Sequence, residues 1–246
     1  MTNTNLTIMK NLLLSTLILF ITLTFHSCEI DNVEGPDASI EGAILDQNGK
    51  PVQFEQGASS GRIKLEETSW SDNPVPLYLN VLQDGKYVNN KMFAATYMAT
   101  LVEGAFYPTT GEELKVSANF KHDFHIVPYL DLEWVGEPVV LADKKVSATF
   151  KFKRNEGPNA EAKPDLMDYQ LFISTNQYVG NNNFDGTRVG QPVKVTNDEE
   201  NKSITITSIQ PMKYAATYYL RIGARVNDTY KKYNYSSIKT IEIQNN

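Results

Sequence analysis

Val146-Ser147-Ala148-Thr149-Phe150-Lys151-Phe152-Lys153 is the stretch whose reading decides the fold. Val146, Ala148, Phe150 and Phe152 share one side of an extended chain; Ser147, Thr149, Lys151 and Lys153 share the other. Successive strand side chains point to opposite faces, so this period of two describes a strand with one face buried and one in water. The alternation recurs at Tyr169, Leu171 and Ile173, and at Ile204 and Ile206 against Thr205 and Thr207. It recurs again along Tyr218, Leu220, Ile222, Ala224 and Val226, opposite Tyr219, Arg221, Gly223 and Arg225. That register predicts Arg221 and Arg225 on the solvent face. A last strand is expected from Ser237 to Ile243. Helical spacing is nearly absent, and Gly, Pro, Asn and Asp separate the short runs, as in an all-β sandwich.

Working back toward the amino terminus, Ser39 to Leu45 alternates into the turn Asp46-Gln47-Asn48-Gly49-Lys50-Pro51. Asn-Gly is a strong turn signal because both residues tolerate positive φ. Further strands are expected at Arg62–Leu65, around Leu77, Leu79 and Val81, and along Tyr97, Ala99 and Leu101. Leu114 to Phe120 and Asp123 to Val127 follow. About 210 residues suffice for one large domain or two ordinary ones. The patterning becomes cleaner past Pro128 to Asp131, which predicts two β-sandwich domains, 38–129 and 130–246. The polar loops Asn155–Pro164 and Gly180–Gly190, if gathered at one end of the second sandwich, would make a recognition surface.

The first 27 residues read as an export signal. Lys10 supplies the positive charge, Leu12 to Phe25 the apolar run, and Ser27 the small residue before Cys28. The apolar run is shorter than the ~20 residues of a spanning helix. Cys28 is the chain's single cysteine, so it has no disulfide partner within the chain. This layout predicts lipidation of Cys28, as in bacterial lipoproteins, with residues 28–37 as an acidic tether broken by Gly35-Pro36. An ordinary signal peptide or an amino-terminal anchor is the alternative, and either Met1 or Met9 could start the chain. Removing residues 1–27 leaves 22 basic against 29 acidic side chains, a net charge of −7. Such a surface argues against nucleic acid as a partner and leaves lipid as the means of membrane attachment.

The stretch Ile40-Glu41-Gly42-Ala43-Ile44-Leu45-Asp46 with Gly49-Lys50-Pro51-Val52 resembles the opening of carboxypeptidase-regulatory-like, or transthyretin-like, domains. A longer set resembles a narrower family: Gly61-Arg62-Ile63-Lys64-Leu65, Trp70, Asp84-Gly85, Asn90-Lys91-Met92-Phe93, Thr96-Tyr97, Gly104-Ala105-Phe106, Asp123-Phe124 and Val127-Pro128-Tyr129. That family comprises two-domain Bacteroidetes lipoproteins carrying a domain of unknown function. Thr217-Tyr218-Tyr219-Leu220-Arg221-Ile222-Gly223-Ala224 looks like the tyrosine-bearing strand of fibronectin type III domains. The resemblance implies an outer-membrane location and association with SusC/SusD-type glycan uptake systems, and the lipid-anchored protein is expected to face the cell exterior, with the periplasmic face as the alternative. It implies no catalytic residues.

The residues themselves offer no catalytic constellation. His122 and His125 flank Asp123-Phe124, but their spacing on a strand points them to opposite faces, so no metal site is expected. No nucleophile elbow, phosphate-cradling loop or dinucleotide fingerprint occurs, and no cofactor is expected. The carboxylate pairs Glu66-Glu67 and Glu112-Glu113 read as solvated charge rather than as a glycosidase pair. Two Trp, 13 Tyr and 11 Phe exceed what two small cores require. Aromatic planes stack on the C–H faces of sugars, with amides and carboxylates nearby to bond the hydroxyls. The candidates for such contact are Trp70, Tyr178, Phe184, Asn182, Tyr230 and Tyr233. The expectation is a non-catalytic, lipid-anchored protein that binds a polysaccharide or supports its transporter. A structural or adhesive module with no sugar site is the alternative.

Overall fold

The computed structural model describes residues 8–10, 13–14, 35–57, 60–69, 71–158 and 162–244. Cys28, most of the signal region and tether, and Trp70 lie outside the described residues. No helix among the described residues is long and apolar enough to cross a membrane. Residues 36–246 form one compact unit, and it is nearly all β.

Its first half carries β1 (Ala38–Leu45), β2 (Arg62–Glu67), β3 (Leu77–Asn80), β4 (Lys86–Met92), β5 (Ala95–Val102), β6 (Glu112–Val116), β7 (Asn119–Lys121) and β8 (Phe124–His125). One sheet runs β4-β1-β7, with β8 also on β1; the other runs β3-β2-β5-β6. Ile40 and Ile44 of β1 meet Ile63 and Leu65 of β2, Tyr97 and Leu101 of β5, and Phe124 of β8 in one core. The expected strand Leu114–Phe120 is in fact two. Ala118 adopts a left-handed φ of 43° between them, and β7 crosses to pair in parallel with β1. Ser39 N–H fixes that crossing by donating to Ala118 O at 2.6 Å.

The second half carries β9 (Leu130–Trp134), β10 (Val139–Val140), β11 (Val146–Arg154), β12 (Leu166–Ser174), β13 (Val193–Lys194), β14 (Ile204–Thr207), β15 (Thr217–Val226), β16 (Asn234–Tyr235) and β17 (Lys239–Glu242). β9 and β10 line one side of β11 and β14 the other. The facing sheet runs β13-β12-β15, with β16 and β17 along the far side of β15. Val146, Phe150 and Phe152 pack against Leu171, Ile173, Tyr218, Leu220 and Ile222, as the alternation predicts. The Tyr218 hydroxyl accepts from Tyr214 N–H at 3.1 Å and lies 3.3 Å from Tyr214 O, closing a tyrosine corner.

The two sandwiches are bound together by more than a linker. Ala105 and Tyr107, from the turn after β5, belong to the core of the second sandwich. Tyr129 N–H donates to Ala105 O at 3.1 Å, and Tyr107 N–H donates to Val127 O at 3.0 Å. The buried Asn234 amide donates to Ala105 O at 2.8 Å and accepts from Leu130 N–H at 3.1 Å. A buried amide meeting both halves with both of its atoms fixes their register through directional bonds.

Two expectations need correction. Arg221 is not on a solvent face: it is fully buried, because β15 is covered on its outer side by the first sandwich and by the loop after β12. The loops 155–164 and 180–190 are not gathered at one end. They leave opposite ends of β12, and the second folds back so that Phe184 meets Phe172 edge-on at 5.2 Å.

Candidate functional site

At the seam between the sandwiches, burial creates an ionic network that alternation alone does not reveal. Gln53 to Glu55 leave β1's turn and run under β15. Arg221 donates to Phe54 O at 2.7 Å and Ser236 O at 3.1 Å, and its guanidinium lies 4.2 Å from the Tyr235 ring centre. Burial pulls this guanidinium down to about 10, still protonated at neutral pH. Glu55, 4% exposed, accepts from the backbone N–H groups of Asn181 at 3.0 Å and Asn182 at 2.9 Å, and from the Tyr235 hydroxyl. Gly180 permits this approach: a Cβ there would sit 2.5 Å from the Glu55 carboxylate. The buried carboxylate and cation are both hydrogen-bonded, which is the condition for tolerating them out of water.

Buried tyrosines, Tyr233 and Tyr235 at this seam and Tyr87 in the first sandwich, set an alkaline limit. Burial raises the Tyr235 hydroxyl well above the usual phenol range and Tyr233 to about 12; Tyr87 is raised by burial as well. In the unfolded chain these phenols ionise near pH 10. Above that pH the folded state holds protons that the unfolded state has released, so stability falls as pH rises toward the folded values. The thermal midpoint should therefore drop as pH rises from about 10 toward 12. An unchanged midpoint across that range would mean that these phenols are not buried as described.

Beside the seam opens a cleft of about 580 Å³ between the sandwiches. Its walls come from the β5 end and following turn, from residues 162–165, and from the turn after β15. Asp228 shapes that last turn, its carboxylate accepting from Tyr230 N–H at 3.0 Å and Lys231 N–H at 2.8 Å. This local bonding holds the Tyr230 ring outward, 50% exposed. Asn227 N–H donates to Asp165 O at 2.8 Å, tying the two loops of the wall together. The Asp165 carboxylate itself is 77% exposed. On the opposite wall Glu103 stands at a left-handed φ of 62°, held by two bonds from Arg62 at 2.8 and 2.7 Å. The Arg62 hydrogen bond keeps the Glu103 carboxyl below the usual carboxylate range. A smaller cleft, about 280 Å³, lies on the other side of Tyr230, with Glu55 among its walls.

The structure sorts the residues expected to touch a ligand. Tyr230 borders both clefts and presents its ring. Asn182 lines the smaller cleft, its backbone already committed to Glu55. Tyr178 is exposed but borders neither cleft, and Phe184 is half buried against Phe172. Tyr233 is not presented at the surface: it is 6% exposed, edge-on to Phe172 and 4.4 Å from the Arg225 guanidinium. Cys28 and Trp70 lie outside the described residues. The cleft walls formed by Glu103, Thr109 and Asp165 were missed. Glu103-Gly104 at a strand end was the available signal. His122 pairs with Glu112 at 3.0 Å, and no group of three metal-ligating side chains occurs among the described residues.

No curated protein sequence matches the chain. Among solved structures, a DUF3823 family protein from Bacteroides uniformis is 24% identical with a TM-score of 0.76. One from Parabacteroides merdae is 16% identical with a TM-score of 0.68. A second Bacteroides uniformis protein, described as a candidate carbohydrate binding protein, is 27% identical with a TM-score of 0.67. Each comparison covers 85% of this chain and 100% of the other. Residues 38–127 match the N-terminal domain of the protein family of unknown function DUF3823, and residues 137–240 match its C-terminal domain. The chain belongs to the DUF3823 family.

Proposed function

We propose that this protein is a non-catalytic glycan-binding lipoprotein of the outer membrane, held by acyl chains on Cys28, and that its site is the larger cleft between the sandwiches. The observation that carries the reading is Tyr230, an exposed ring fixed by the Asp228 turn on the wall of a concave cleft whose apolar lining is interspersed with Asp165, Thr109 and Lys163. A sugar ring would stack its C–H face on Tyr230, and Asp165, Thr109 and Lys163 would bond its hydroxyls. No covalent step is involved. The likeness to a candidate carbohydrate binding protein supports the same reading. One stacked sugar in water gives millimolar to micromolar affinity, about −4 to −8 kcal/mol. Many anchored copies meeting a repeating polymer would multiply residence. Each buried methylene of the anchor contributes ~0.8 kcal/mol, so several chains give lasting attachment. Such a protein would present polysaccharide to a SusC/SusD-type uptake complex.

The test is affinity electrophoresis through gels containing a panel of polysaccharides. Retardation by at least one polymer is expected, and Tyr230→Ala should weaken it by about tenfold or more. Tyr178→Ala, away from both clefts, should leave it unchanged. The second reading, a structural or adhesive module, is favoured by the exposed edge strand β10, where Val139 and Val140 are half exposed beside Leu141. No retardation by any polymer, together with a protein partner lost on charging Val139 and Val140, would move the assignment there.

A further inference from the structure

We infer that the smaller cleft beside Tyr230 holds an oxyanion, a carboxylate or sulfate ester, borne by the glycan, so that the ligand is an acidic polysaccharide; this rests on the glycan reading above. The chain is acidic, with a net charge of −6, yet Arg225, Lys231 and Lys232 converge on this cavity. The carboxylates around it already have cations of their own. Asp168 is bonded by Arg225 at 2.8 Å through both oxygens and faces Lys194 at 3.5 Å. Glu55 is satisfied by two backbone amides and Tyr235, with Arg221 interacting behind it. Glu103, which also feels Lys232, is bidentate on Arg62. Lys231 and Lys232 remain in surplus: no carboxylate of the described residues lies within 4.0 Å of either ammonium.

The remaining donors suit an oxyanion. The side-chain amides of Asn181 and Asn182 are exposed on the rim and have no partner among the described residues. Lys231 holds a left-handed φ of 49°, fixed by the Asp228 carboxylate on its N–H, immediately after the stacking ring. A glycan with one sugar stacked on Tyr230 in the larger cleft would bring a neighbouring sugar to the smaller one, whose walls include Lys231, Lys232, Asn181 and Asn182. Charge-assisted bonds of this kind are stronger than neutral ones, so they would discriminate a charged polymer from its neutral counterpart.

The experiment compares matched polymers that differ only in charge: polygalacturonate against its methyl ester, and dextran sulfate against dextran. Wild type should bind one charged polymer about tenfold more tightly than its neutral twin. The first pair responding assigns a carboxylate, the second a sulfate. Lys231→Gln/Lys232→Gln should abolish that preference, while Lys91→Gln/Lys115→Gln, elsewhere on the surface, should preserve it. Equal binding of the twins by wild type would overturn the inference and leave the glycan reading standing. Equal loss in both double variants would also overturn it, because attraction would then be diffuse. Retardation by none of the four, nor by the wider panel, would remove both.

Discussion

Arg221→Ala should destabilise the protein by about 3–5 kcal/mol, the range for removing one partner from a buried ionic network. The guanidinium is fully buried and bridges the halves, bonding Phe54 O on one side and Ser236 O on the other. Alanine would leave those carbonyls without their donor and Glu55 without its nearby cation. Lys153→Ala, on the exposed face of β11, should stay within about 0.5 kcal/mol. Urea unfolding of both variants decides the matter. Equal and small effects would place Arg221 on a solvent face and undo the described seam.

Gly42→Ala should cost about 3 kcal/mol or more, at the upper end of overpacking. An added Cβ would lie 1.7 Å from His122 O, a backbone atom that no rotamer change can move aside. Relief requires shifting the crossover from β7 to β8 away from β1. That movement would strain the Tyr87 hydroxyl bond to His122 O at 2.6 Å, the His122 N–H bond to Glu41 O and the Ala43 N–H bond to Asp123. Denaturant unfolding measures the cost, and a loss below about 1 kcal/mol would show that the crossover is not packed there.

The contrast between these two residues and β11 shows what a period of two can reveal. Along β11 one face meets a core and the other meets water, so Val146, Phe150 and Phe152 declare themselves. β15 is covered on both faces, and its outer cover is a distant part of the chain. Arg221 is polar because its partners are carbonyls from that cover, a fact that local alternation does not contain. β4 was missed for a different reason. A register shift opposite Ala38 to Ile40 turns both Tyr87 and Met92 inward, although they stand an odd number of residues apart. The candidate site was legible at Tyr230 and, on the rim of the smaller cleft, at Asn182. Polar surroundings singled out six candidates, but exposure depends on whether a loop's own bonds hold the ring out. The Asp228 turn does this for Tyr230, while Phe172 and Arg225 draw Tyr233 inward.

Amide hydrogen exchange with and without an oligosaccharide of the retained polymer tests the central claim most directly, because it reports where binding occurs without relying on a variant. Slowed exchange should be confined to residues 100–109, 162–165, 181–182 and 228–232, the walls of the two clefts that meet at Tyr230. Protection confined to Val139–Leu141 or to the loop around Tyr178, with the cleft walls unchanged, would contradict the account.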